Sequence, residues 1–270
     1  MGEIGLTEDR GGIHTYSQRS LHGQVAHDIG ERILRGDLAP GEILPNEADF
    51  SMRLKVSRTA LREAIKVLAA KGLVESRPKT GTRVRARHDW NLLDPDVLAW
   101  QLAAGPVDRF VRDLMELRQI IEPQAAAIAA RQAKAPEIRA IEDAYREMEK
   151  SADRPEHWAE HDIRFHRAIL LATGNELLRP LAATIEAALA AGFRLAGLMP
   201  VDARELSLPL HKGMLDAIKK RNPEAARAAT VKLLGESEAD LKNLLASNAK
   251  LAAAIVPARR RKWSIKKVRR

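Results

Sequence analysis

Three side chains in the second half of the chain carry metal-ligand chemistry. Asp162 and His166 lie four residues apart, so on one helix both reach the same point in the interior, and His211 on a later helix can join them. Carboxylate and imidazole suit a divalent ion such as zinc, nickel or manganese, which could in turn bind a carboxylate or hydroxyl of a small effector. The same three groups can instead hydrogen-bond a polyhydroxylated acid directly, or be satisfied polar residues inside a bundle. His157 and His161 lie near the same segment and are read as exposed. A different chemistry sits in the first third. Arg58, Arg62 and Lys66 are each four apart and form a cationic row, while Ala60, Leu61, Ala64, Ile65, Val67 and Leu68 recur at helical spacing on the other side. Ser57 stands where an N-cap is expected, which crowds Ser57, Arg58, Thr59 and Arg62 into the first turns. A helix-turn-helix presents its recognition helix to DNA in this way, leading with the N-terminal residues.

The elements that position these groups follow from periodicity and turn residues. Leu21 to Leu34 reads as an amphipathic helix ending near Gly36, and Asn46 to Leu54 as a second short helix behind Pro45. The basic helix runs from Ser57 to about Lys71 and stops at Gly72. Leu73 to Arg77 and Thr82 to Arg85 then read as two short strands around Pro78-Lys79-Thr80-Gly81. Three helices and a basic hairpin make a winged helix. From Asn91 to about Leu251 the strand signal disappears, and alanine-rich helical segments follow one another between Gly105-Pro106, Pro155, Gly174-Asn175, Pro200 and Asn222-Pro223. The fold class expected is therefore mainly α: an N-terminal winged helix-turn-helix over residues 21–88, then an all-α antiparallel bundle over 89–251. A lead-in over 1–20 and a basic tail over 252–270 flank them. With aromatics at 4%, the bundle core is expected to rest on Leu, Ile and Ala.

Composition narrows the function. The chain has 270 residues, enough for two domains with a core each, and no cysteine, which excludes disulfides and any cysteine ligand or nucleophile. No apolar run reaches the roughly 18 residues that span a bilayer, and no signal-peptide pattern opens the chain, so a soluble cytoplasmic protein is expected. The net charge of +9 is uneven: residues 259–270 carry +8, residues 21–88 carry +5, and residues 89–258 carry −3. Phosphate binding is expected at the charged ends, and another task for the middle.

Four blocks, Leu44-Pro45-Asn46-Glu47, Val56 to Ala64, Gly72-Leu73-Val74 and Gly81-Thr82-Arg83-Val84, resemble the GntR family of bacterial transcription regulators. Asp162 to Leu170, Gly174-Asn175 and His211 to Ile218 resemble the helical ligand-binding domain of its FadR-like (FCD) branch, and Trp90 to Trp100 is similar to the branch's galactonate-operon and other sugar-acid-responsive repressors. The resemblance implies that Ser57, Arg58 and Arg62 contact phosphates and base edges and that Gly81 lies at the wing tip, with Thr59 and Lys79 beside them. Ala48 and Thr80 stand where better-known relatives have Arg and His. It also implies a homodimer on a double-stranded DNA operator, acting as a repressor released by a small carboxylate effector such as a sugar acid. Effector contacts fall on Arg118, Asp162, His166 and His211, and metal contacts on the last three. Leu233 stands where metal-binding members have a further His. Arg118 and Glu122, four apart, also suit a simple intrahelical ion pair. Two other functions remain to be weighed: a metal-dependent enzyme tethered to DNA, for which no general base stands near the ligands, and a nonspecific DNA-binding protein.

Overall fold

The computed structural model describes residues 20–104, 108–195 and 201–247, and these form two compact units divided between Trp100 and Gln101. The expected lead-in, Ser20 apart, and the basic tail lie outside the described residues.

In the first unit each helix boundary has a local cause. Helix α1 (Leu21–Arg35) starts where the Ser20 hydroxyl accepts from the Gly23 amide and ends at Gly36, whose left-handed φ of 85° a side chain would strain. Asn46 caps α2 (Glu47–Leu54), and Ser57 caps α3 (Arg58–Ala70) by accepting from the Ala60 amide at 3.1 Å. Leu61, Ala64 and Leu68 face inward from α3 and join Val25, Ile29 and Ile33 of α1 in the core. Strands β1 (Val74–Arg77) and β2 (Gly81–Val84) pair antiparallel, Val74 opposite Val84 and Arg77 opposite Gly81, and Ile43 adds a bridge to Arg83. The wing turn uses positive φ at Lys79 (68°) and Gly81 (84°). Only at Gly81 is that conformation free of a side-chain penalty.

This unit continues past residue 88, where the sequence reading ends it. Lys71 is the reason: its buried ammonium lies 2.7 Å from Asp94 and 2.6 Å from Asp96, and its carbonyl accepts from the Asn91 amide. Trp100, in the helix α4 (Pro95–Ala104), packs where α1 has Gly30, and a Cβ there would collide with the indole.

The second unit holds α5 (Asp108–Gln132), α6 (Ala135–Lys150), α7 (Pro155–Ala172), α8 (Arg179–Leu195), α9 (Val201–Lys219) and α10 (Pro223–Ser247). Helix α6 packs on α7, α10 on both α5 and α9, and α7 on α8. Ala126, Ala129 and Ala130 of α5, with Ala133 just past its end, do not protrude, and close helix approach follows. The few aromatics are nonetheless central, since Trp158 and Phe165 are among the largest fully buried side chains. Among the described residues no helix is long and apolar enough to cross a membrane.

Candidate functional site

The exposed surface of the first unit gathers the residues singled out for DNA. Ser57, Arg58, Thr59 and Arg62 are all exposed on the opening turns of α3, and Lys79 and Gly81 are exposed at the wing. The Ser57 hydroxyl is committed to capping, yet it remains at the surface with the helix N-terminus behind it, an arrangement suited to a phosphate. Arg58 has no partner among the described residues. Arg62 does: its Nε donates at 2.7 Å to Oε2 of Glu47, the first residue of α2, and its Nη2 lies 2.7 Å from the same oxygen. Lys66 pairs with Glu63 at 2.8 Å. Arg85 lies 3.3 Å from Asp89.

The second unit buries a chain of charged groups. Asp162 and His166 on α7 and His211 on α9 are 5%, 3% and 1% exposed, and one ligand atom from each lies within 4.8 Å of the others. Each imidazole is oriented from behind. Nδ1 of His211 lies 2.9 Å from the backbone carbonyl of Ser207, which can only accept, so Nδ1 carries the proton and Nε2 of the neutral ring presents a lone pair. That Nε2 lies 3.0 Å from Oδ1 of Asp162 without the alignment of a hydrogen bond, and it is a buried atom with no hydrogen-bond partner. Nδ1 of His166 lies 2.6 Å from Oε2 of Glu122, which turns Nε2 toward Oδ1 of Asp162 at 4.0 Å. Glu122 in turn accepts from Arg118 Nε at 2.5 Å.

The electrostatics follow from this order. Burial pushes the Glu122 carboxyl up, but the Arg118 guanidinium and then His166 outweigh it and bring it down to about 2. While the imidazoles carry their protons, Asp162 is likewise lifted by burial and lowered more by His211, His166 and Arg118, so it stays below the ordinary aspartate range. With both rings neutral, a carboxylate and two imidazole lone pairs converge, with a carboxylate and a carbonyl orienting the rings from outside. That donor set fits a divalent cation, including the outer groups that fix ligand tautomers.

Several sequence expectations change in detail. Arg118 and Glu122 form a buried pair, and Glu122 also serves His166. Spacing gave only its link to Arg118, because the contact between α5 and α7 is long-range. Ser207 meets Nδ1 of His211 through its backbone carbonyl at 2.9 Å and its hydroxyl at 3.1 Å, one helical turn earlier on α9. His157 is exposed as expected, but His161 is half-buried against α6, with Nδ1 unpaired and its pKa lowered by burial and Arg164. Leu233 is 2% exposed and packs in the hydrophobic cluster with Phe165 and Met214.

A winged three-helix unit with cationic leading turns, carried on one chain with an all-helical unit that buries a ligand cluster, defines a two-domain DNA-binding regulator. Comparison with known proteins agrees. Residues 21–84 match the family model described as bacterial regulatory proteins, gntR family, and residues 113–236 match the FCD domain. The galactonate operon transcriptional repressor of Escherichia coli (strain K12) is 32% identical over 221 residues, covering 82% of this chain and 96% of that protein. The uncharacterized regulator YieP of the same organism is 33% identical over 220 residues, covering 81% and 94%. A solved structure of Lar, which controls expression of the Listeria monocytogenes agr system, shares the fold at TM-score 0.60 and 21% identity, over 85% of this chain and 100% of that one. The chain belongs to the GntR family of transcription regulators, with an FCD domain following the winged helix. Its relatives and domains are those of regulators, which sets aside the tethered-enzyme reading.

Proposed function

We propose that the protein is a homodimeric, ligand-responsive repressor of a catabolic operon, with a sugar acid or related small carboxylate as its effector. Two winged helices about a two-fold axis would read a pseudo-palindromic operator through Arg58, Arg62 and the wing. Effector binding in the helical unit would favour a dimer geometry that fits the half-sites less well. The exposed cationic first turns of α3, with Arg58 unpaired among the described residues, carry the DNA part. The galactonate repressor relative supports the class of effector. The measurement is binding to duplexes from the gene's own promoter region against random competitor. Equal affinity for both would reduce the protein to a nonspecific DNA binder.

Within this reading Asp162, His166 and His211 hold a divalent ion, zinc, nickel or manganese. With Leu233 in place of a further His, the ion keeps a position for the effector's carboxylate or hydroxyl. Arg118 stays on Glu122 and supports His166 indirectly. A thermal-shift screen of aldonates, uronates and dicarboxylates, with and without added metal or chelator, tests the site, since ligands of the native state raise apparent stability. Stabilisation that survives chelation would overturn the metal-bridged model and favour direct hydrogen bonding to the three side chains.

A further inference from the structure

The contact between Arg62 and Glu47 joins two helices at the surface that meets DNA, and it does nothing obvious for the fold. Arg62 and Glu47 have side chains 62% and 50% exposed, and an ion pair so open to water contributes little to stability. Its geometry is more telling. One carboxylate oxygen accepts from Nε and lies against Nη2 of the guanidinium, covering one edge of the planar fork. Nη1 and the second hydrogen of Nη2 form the other edge, the pair of parallel donors that matches O6 and N7 of guanine. Both residues line a groove of about 260 Å³ that runs between α2, α3 and the wing and also includes Lys66, Ser76 and Thr82.

We propose that Glu47 is a specificity-determining positioning residue: it holds Arg62 so that the free edge of the guanidinium faces the base pairs, and it discourages Arg62 from gripping the phosphate backbone. The second effect comes from charge. A phosphate-bound Arg62 would have to leave Glu47, whose carboxylate would then face the polyanion alone. Alanine at position 48 adds no cation to this face, so the orientation of Arg62 matters more. The inference rests on the reading of α3 as the DNA-reading helix.

The test begins with the wild-type full-length chain and a randomised duplex pool, from which preferred sites are selected. Affinities for a selected site and its scrambled version are then measured over a salt series for wild type, Glu47→Gln, Glu47→Asp and Glu47→Gln/Arg62→Ala. Glu47→Gln should tighten binding to the scrambled duplex about fivefold and lower the ratio of specific to scrambled affinity about tenfold. Its salt dependence on scrambled DNA should steepen by roughly one phosphate contact. Glu47→Asp should restore part of the ratio, and Arg62→Ala in the Glu47→Gln background should remove the gain on scrambled DNA. A ratio that survives Glu47→Gln, or equal weakening on both duplexes, overturns this inference alone. A pool that yields no preferred site overturns the regulator reading and this inference with it.

Discussion

Each unit buries a cluster of charges, and the two are built on opposite plans. In the first, the Lys71 ammonium meets Asp94 at 2.7 and 2.9 Å and Asp96 at 2.6 Å and faces the Trp100 ring at 5.8 Å. Asp94 also accepts from the backbone amides of Asp96 and Val97 and so starts α4. Here the protein supplies its own cation between its acids, and burial, which disfavours the charged lysine, is outweighed by Asp94 and Asp96, so its pKa rises. In the second, the Arg118 guanidinium is taken by Glu122, and Asp162 is left facing two imidazoles whose other nitrogens lie against the Glu122 carboxylate and the Ser207 carbonyl. A self-neutralised cluster holds chain segments together. A cluster whose lone pairs converge is chemistry set out for something else to bind.

The largest expected effect tests the first plan. Lys71→Met leaves Asp94 and Asp96 without their cation, and breaking a buried pair from one side should cost about 3 kcal/mol of stability. Denaturant unfolding of the full chain checks this, and a loss below about 1 kcal/mol would mean that the cluster is effectively solvated. On the second plan, His211→Ala should weaken zinc binding on the order of 100-fold by calorimetry on chelator-treated protein, while affinity of metal-free protein for DNA stays the same. Unchanged zinc affinity would place the ion elsewhere. Glu122→Gln, which alters the group behind His166 and also takes the carboxylate from the buried Arg118, should weaken zinc by roughly 10- to 100-fold. The same variant has a pH signature. Because the folded carboxyl lies near 2 against an ordinary 4.5, its stabilisation is full above about pH 4.5 and is lost as pH falls toward 2, so Glu122→Gln should flatten the acid limb over that window. Leu233→His should have the smallest effect, tightening zinc by roughly tenfold through a fourth protein ligand. Weakened zinc would show that residue 233 does not face the site.

Much of this was legible in the sequence where its cause is local. Ser57 as the cap of α3, the row of Arg58, Arg62 and Lys66, and the stops at Gly36 and Gly72 all depend on neighbours within one or two turns. Asp162 and His166 were visible for the same reason. Lys71 and its two acids were not, being 23 and 25 positions apart with no periodic signal, and the first unit was therefore closed at residue 88. Glu47 was visible as part of a helix start and of a family block, and Arg62 as a DNA contact, but nothing in their spacing joined the two.

By itself the sequence determined the order of elements, the basic helix, and which residue types are available as ligands, since caps, helical periods and net charge are properties of short stretches. Only the tertiary structure decided which nitrogen of each histidine points inward, that Glu122 and not Arg118 meets His166, and that Arg62 is held by Glu47. Those outcomes depend on distances across packed helices, set by burial rather than by spacing along the chain.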